Sequence, residues 1–134
     1  MSQENVDFVR SIFEAWERGD YSATEWADPE IEVVMADGPS PGSWRGLTGM
    51  SEGMREFVTA WDDYRAKPDE FRELDDERVL VLIQMSGRGK RSGVDLGRLR
   101  TKGAALLHVR GGKVTRLVRY WNRERLFADL GLSE

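Results

Sequence analysis

Apolar positions recur at helical spacing in the first half of the chain and at strand spacing, or without a break, in the second. Val6, Val9, Ile12, Phe13 and Trp16 share one helix face, with Ser2 placed to cap its start and Gly19 to stop it. Ser22-Ala-Thr-Glu25 has the capping-box form and Pro29 forbids continuation, so a short second helix carrying Trp26 is expected over 22–28. Residues 31–35 read as a strand. The stretch 36–49 holds Gly38, Pro39, Pro41, Gly42, Gly46 and Gly49, which is the chemistry of a loop. Beyond Thr48, Met50, Met54, Phe57, Val58, Trp61 and Tyr64 mark one face of a third helix that Pro68 must end, with a short strand near 70–74.

From Arg78 onward the period changes. Residues 79–85 (Val-Leu-Val-Leu-Ile-Gln-Met) form a β-rich run suited to a strand buried on both faces. Two further strands are expected at 98–109 and 114–121. The Gly111-Gly112 pair between them suits a tight hairpin turn, which makes them antiparallel neighbours. Asn122 caps a last helix at 123–130 and Gly131 stops it. With 134 residues, no repeat and no linker, the chain reads as one domain over 1–134. Helices first and long strands later specify a segregated α+β domain, in which a curved sheet wraps the helices and leaves an apolar concavity.

Composition narrows the function. The chain has no cysteine and one histidine, so disulfide scaffolds and thiolate metal sites are excluded, and no EF-hand spacing organises its carboxylates. Neither metal nor cofactor is expected. Twenty basic residues against 24 acidic ones leave a net charge of −4, a poor match for nucleic-acid phosphate. The N-terminus lacks a basic start and an apolar core, and no run approaches a membrane span, so the expectation is a cytoplasmic protein with neither nucleic-acid nor membrane partners.

Phe13-Glu-Ala-Trp16-Glu-Arg-Gly-Asp20, then Trp44-Arg-Gly46 before the long helix, then Gly112-Lys-Val114 leading to Tyr120-Trp121-Asn122-Arg123 and Leu130-Gly131-Leu132, form a series spread over the whole chain. In that order they resemble the SnoaL-like proteins of the nuclear transport factor 2-like superfamily, relatives of ketosteroid isomerases and polyketide cyclases. The resemblance implies a cystatin-like α+β roll: a cone-shaped, mixed but mainly antiparallel sheet wrapped around N-terminal helices, with a deep apolar pocket and a homodimer packed through the sheet. It does not settle the chemistry, because the superfamily includes enzymes and binding proteins alike.

Carried over residue by residue, the isomerase base falls on Asp37, while the two oxyanion-donor positions hold Ile12 and Ala104, which cannot donate. Steroid isomerisation is therefore not expected. The cyclase pattern of a histidine fourteen residues before a carboxylate falls on His108 and Asn122, and asparagine cannot take the carboxylate's role as base. The isomerase comparison aims Trp121 into the pocket and the cyclase comparison aims Asn122 there, although neighbouring strand residues face opposite sides.

Each candidate also has a plainer role: a turn at Asp37-Gly38, core or interface packing for His108, helix capping for Asn122 and core packing for the tryptophans and methionines. The basic run Gly87-Arg-Gly-Lys-Arg-Ser-Gly93 lacks the context of a phosphate loop and reads as a solvated connection. The resulting expectation is a protein that takes a hydrophobic small molecule. In its catalytic form it is a cofactor-free isomerase, cyclase or dehydratase acting on a carbonyl compound, with Asp37 as base and His108 as polar partner. Trp16, Met35, Phe57, Trp61, Met85, Arg119, Trp121 and Asn122 would contact the ligand. The alternatives are a non-catalytic binding module for an apolar molecule and a dimerisation or partner-binding platform.

Overall fold

The computed structural model describes residues 2–18, 20, 25–37, 42–59, 61–89 and 101–132. In chain order these form α1 (Ser2–Glu17), β1 (Ala27–Met35), β2 (Gly42–Arg45), α2 (Gly46–Thr59), β3 (Trp61–Glu73), β4 (Arg78–Gly89), β5 (Thr101–Arg110), β6 (Lys113–Tyr120) and α3 (Arg123–Leu130). The strands make one curved six-stranded sheet in the order β2-β1-β6-β5-β4-β3, antiparallel except where β1 runs parallel to β6. The α+β roll inferred from the sequence is the observed fold.

The sheet has an apolar layer on each face. On one, α1 places Val9, Ile12, Phe13 and Trp16 against Ile31, Val33 and Met35 of β1, Val79, Val81, Ile83 and Met85 of β4, Ala105 and Leu107 of β5, and Leu117 of β6. Phe13 meets Trp16 and Phe71 edge-on, and Trp16 meets Trp26 likewise, the arrangement that ring quadrupoles favour. On the other face, Leu126 and Phe127 of α3 cover Leu80, Leu82, Ala104, Leu106, Val118 and Tyr120. This double cover is why 79–85 reads as an apolar run with no alternation: apart from the half-buried Gln84, every residue in it is buried.

Three local expectations are overturned. The helix at 22–28 does not extend through 25–28: residues 25 and 26 form a turn and β1 already begins at Ala27, while 22–24 lie outside the described residues. Val114 N–H donates to the Trp26 carbonyl, and the register shift between Ala27 and Glu32 leaves exposed Pro29 in an irregular part of the ladder. The loop at 36–49 contains a strand, β2, paired to the end of β1, and α2 starts directly after it at Gly46 rather than beyond Thr48; residues 38–41 are not described.

The third helix ends at Thr59, so Trp61 and Tyr64 belong to β3, which runs on through Pro68. The helical spacing of that segment yields to pairing with the long β4. Proline is tolerated because β3 is the outermost strand, and the ladder is irregular between Pro68 and Glu70.

At the β5–β6 hairpin and at α3, turn and cap chemistry matches the sequence reading. Gly111 and Gly112 have φ of 59° and 74°, the positive values that a two-residue hairpin turn needs. Asn122 Oδ1 accepts from the Glu124 and Arg125 amides at 2.9 and 3.3 Å, and Gly131 closes α3 in the left-handed conformation. The strands expected at 98–109 and 114–121 are β5 and β6, antiparallel as predicted, with 98–100 outside the described residues.

Candidate functional site

The candidate residues converge at the end of the sheet where β1 finishes and β6 passes into α3. Met35, the last residue of β1, stands opposite Arg119 of β6, and Arg119 in turn opposes Ala105 of β5. Met35 and Met85 are buried in the α1-facing layer, and Trp121 packs against the same layer. Alternation along β6 then puts Leu117 and Arg119 on that face and turns Val118 and Tyr120 to the other. The Arg119 side chain reaches Met85, with Nη2 3.8 Å from the thioether sulfur. A guanidinium here stands on a wall of methionine and tryptophan.

Asp37 lies two residues beyond Met35. Its carboxylate accepts the Trp121 N–H at 2.6 Å through Oδ1 and the Asn122 N–H at 3.3 Å through Oδ2. Ala36 reinforces the junction: its N–H donates to the Arg119 carbonyl at 2.9 Å, and its own carbonyl accepts from Arg125 Nη1 at 3.0 Å. Asp37 therefore clasps the end of β1 to the start of α3, bonding the backbone of residues far along the chain. A carboxylate has about four lone-pair sites, so two backbone bonds leave acceptor capacity for a ligand.

Trp121 and Asn122 separate as neighbours on an extended segment must. Trp121 joins the inner layer, while Asn122 is exposed and spends its side-chain oxygen on capping α3. Trp16 is buried among Phe13 and Trp26. Phe57 belongs to α2 and Trp61 to β3, but their side chains lie outside the described ones. Met50, 1 % exposed in the inner layer, is a residue the site reading left out although it shares the predicted apolar helix face.

His108 is not brought to Asp37. It stands opposite Arg116, and alternation from Leu107 and Val109, both in the inner layer, turns it to the opposite face. There it is flanked by Arg116 of β6 and Arg78 of β4. Arg116 pairs with Glu32 at 3.0 Å and Arg78 with Asp75 at 2.8 Å. Burial, then the charges of Arg116 and Arg78, push the imidazole below its ordinary value, against a smaller upward pull from Asp75 and Glu77. Among the described residues its Nε2 is buried without a hydrogen-bond partner.

The two oxyanion-donor positions can now be placed. Ile12 packs in the inner layer, whereas Ala104 faces α3. The inward neighbours of Ala104 are Gly103 and Ala105, which bring no donor either. Two grooves of about 320 Å³ flank α1. One lies against β3 between Phe13, Glu14, Pro68 and Phe71, and the other against the start of β1 between Phe8, Trp16, Asp20 and Trp26. Among the described residues no group of His, Cys, Asp and Glu is arranged to hold a metal ion, and no helix is long and apolar enough to cross a membrane.

The architecture recurs in solved structures. A candidate polyketide cyclase from Sinorhizobium meliloti is 23 % identical, with a TM-score of 0.67, 89 % of this chain covered and 98 % of that one. A nuclear transport factor 2-like protein from Burkholderia xenovorans LB400 is 26 % identical, with a TM-score of 0.71 and coverages of 93 % and 96 %. TerC, co-crystallized with polyporic acid, is 21 % identical, with a TM-score of 0.73 and coverages of 94 % and 96 %. No curated protein matches the chain. Since the SnoaL-like domain matches residues 9–117, from the first helix to the inner face of β6, and the sheet and helices follow the same plan, the chain belongs to the SnoaL-like family.

Proposed function

We propose that this protein binds a hydrophobic carbonyl compound against the α1-facing side of its sheet and acts on it as a cofactor-free isomerase, cyclase or dehydratase, with Asp37 as the base. The observation that carries the reading is the meeting of Asp37, Arg119 and Trp121 at one end of an otherwise apolar layer that includes Met35 and Met85. A carboxylate held by two backbone N–H groups is positioned without relying on a mobile partner, and positioning accounts for much of what a general base contributes. His108 has no part in this step, because it faces the other side of the sheet. The likeness to a candidate polyketide cyclase and to a protein co-crystallized with polyporic acid agrees with a small-molecule pocket.

The test is hydrogen–deuterium exchange at the carbon next to the carbonyl of 2-tetralone in deuterated buffer, followed by NMR. The protein accelerates exchange in this reading, and Asp37→Asn abolishes the acceleration while preserving ligand binding. Binding without acceleration would instead support the non-catalytic module, the second reading, which the missing donors at Ile12 and Ala104 favour. Native mass spectrometry of gently purified protein tests the accompanying proposal of a homodimer and weighs any retained small molecule.

A further inference from the structure

The groove between α1 and β3 lies apart from Asp37, because β6, β5 and β4 separate β3 from β1 in the sheet. Its floor is apolar: buried Phe13 with half-buried Pro68 and Phe71, the two rings edge-on at 5.9 Å. Its rim is acidic, with Glu14, Glu17, Asp69 and Glu70 set against a single cation, Arg10. Asp69 and Glu70 are already engaged, Asp69 by Arg123 Nη2 and Gln84 Nε2, and Glu70 by Arg72. Glu14 and Glu17 stand one turn apart on α1, exposed, and among the described residues no cation pairs with either. Arg10 shows what this surface attracts. Glu14 is four residues further along the same helix, yet the Arg10 guanidinium lies over the Phe71 ring, 4.5 Å from its centroid. The ring face is thus a seat for a cation inside the groove, filled by the chain itself. An exposed contact of this kind is weak, and a long side chain gives up rotamer freedom to make it, so another cation can displace Arg10.

We propose that this groove is a second binding site, independent of the Asp37 end of the sheet, which takes a small hydrophobic amine in its ammonium form. The apolar body lies on Pro68 and the Phe13–Phe71 pair, and the ammonium sits between the Phe71 face and the carboxylates of Glu14 and Glu17. A volume of about 320 Å³ is at the small end of ligand pockets and suits one ring with a short amine tail. A neutral molecule of the same shape gains only the floor, and an anion meets two carboxylates that carry no counter-charge.

The experiment titrates the wild-type chain with 2-phenylethylammonium chloride or with neutral 2-phenylethanol and follows amide chemical shifts, with sodium chloride at matched concentration as the control. Saturable shifts are expected at residues 10–17 and 69–71. Affinity for the ammonium should exceed that for the alcohol about fivefold at low salt, as for one exposed cation–π contact and weak ion pairs. The double variant Glu14→Gln/Glu17→Gln should bring that preference within about twofold and leave alcohol affinity unchanged. Arg10→Ala should instead raise ammonium affinity about threefold, because it vacates the ring face and removes a like charge. All three positions are exposed on α1, and alanine and glutamine are good helix formers, so both variants keep the helix; should one fail to fold, the other decides. Equal affinity for the two probes, a preference that survives the double variant, or weaker ammonium binding in Arg10→Ala overturns the proposal. So does the absence of saturable shifts at these residues below about 20 mM ammonium. Shifts confined to the neighbourhood of Asp37 overturn this site and leave the pocket reading standing.

Discussion

Replacing Asp37 by alanine removes the clasp between β1 and the start of α3, and the cost can be worked from its two bonds. The Trp121 N–H, 2.6 Å from Oδ1 and part-buried, loses a charged acceptor, while the Asn122 bond is long at 3.3 Å and exposed. A hydrogen bond to a charged group contributes about 1.5–3 kcal/mol, and an exposed, long one contributes little, so the expected loss is about 2 kcal/mol. Unfolding entropy of about 2.1 cal/mol/K per residue over 134 residues turns that into a fall in Tm of about 7 °C. Asp37→Asn keeps an amide oxygen for the Trp121 N–H and should lose less than half as much. Calorimetric melting of both variants supplies the measurement. A shift below about 2 °C for Asp37→Ala refutes the clasp, and equal losses for the two variants refute the assignment of the bond to a single oxygen.

A Cβ on Gly53 would lie 2.8 Å from Trp44 Cδ2, where the indole packs flat on α2. Glycine to alanine inside a helix normally stabilises by about 1 kcal/mol, but here overpacking should reverse the sign and cost about 1–3 kcal/mol; a urea midpoint that rises in Gly53→Ala overturns this packing. His108, the chain's single histidine, is held below its ordinary value of 6.5 by burial, Arg116 and Arg78. As the pH falls the unfolded chain takes up the proton first, so stability is full above about pH 6.5 and declines as the pH drops toward the folded value. His108→Gln should flatten the stability profile just below about pH 6.5, a window above that of the carboxylates; Asp75 and Glu70 are held still lower, by the Glu77 amide and by Arg72. An unchanged slope in the variant would contradict this linkage.

Features that depend on a few neighbouring residues were legible in the chain itself. The face of α1, the cap and stop of α3 and the Gly111-Gly112 turn each follow from local backbone chemistry, which any fold must obey. The motif series extended this to the family, and so to the roll. The misread segments are those whose outcome lies in a distant partner. Trp61 and Tyr64 continue a helical pattern, yet β4 supplies a ladder that binds them as strand, and Pro68 fits because, among the described residues, no further strand lies outside it. Residues 42–45 carry loop chemistry and still form β2, because the end of β1 is an edge awaiting pairing.

The same division runs through the candidate site. Asp37 and Arg119 can be nominated from sequence, but their meeting at one end depends on the parallel pairing of β1 with β6, two strands separated by most of the chain. The separation of His108 from Asp37, and of Asn122 from Trp121, is decided by which side of the sheet each residue faces. A one-residue change of register would exchange those sides, and only the packing of α1 on one face and α3 on the other holds the register in place.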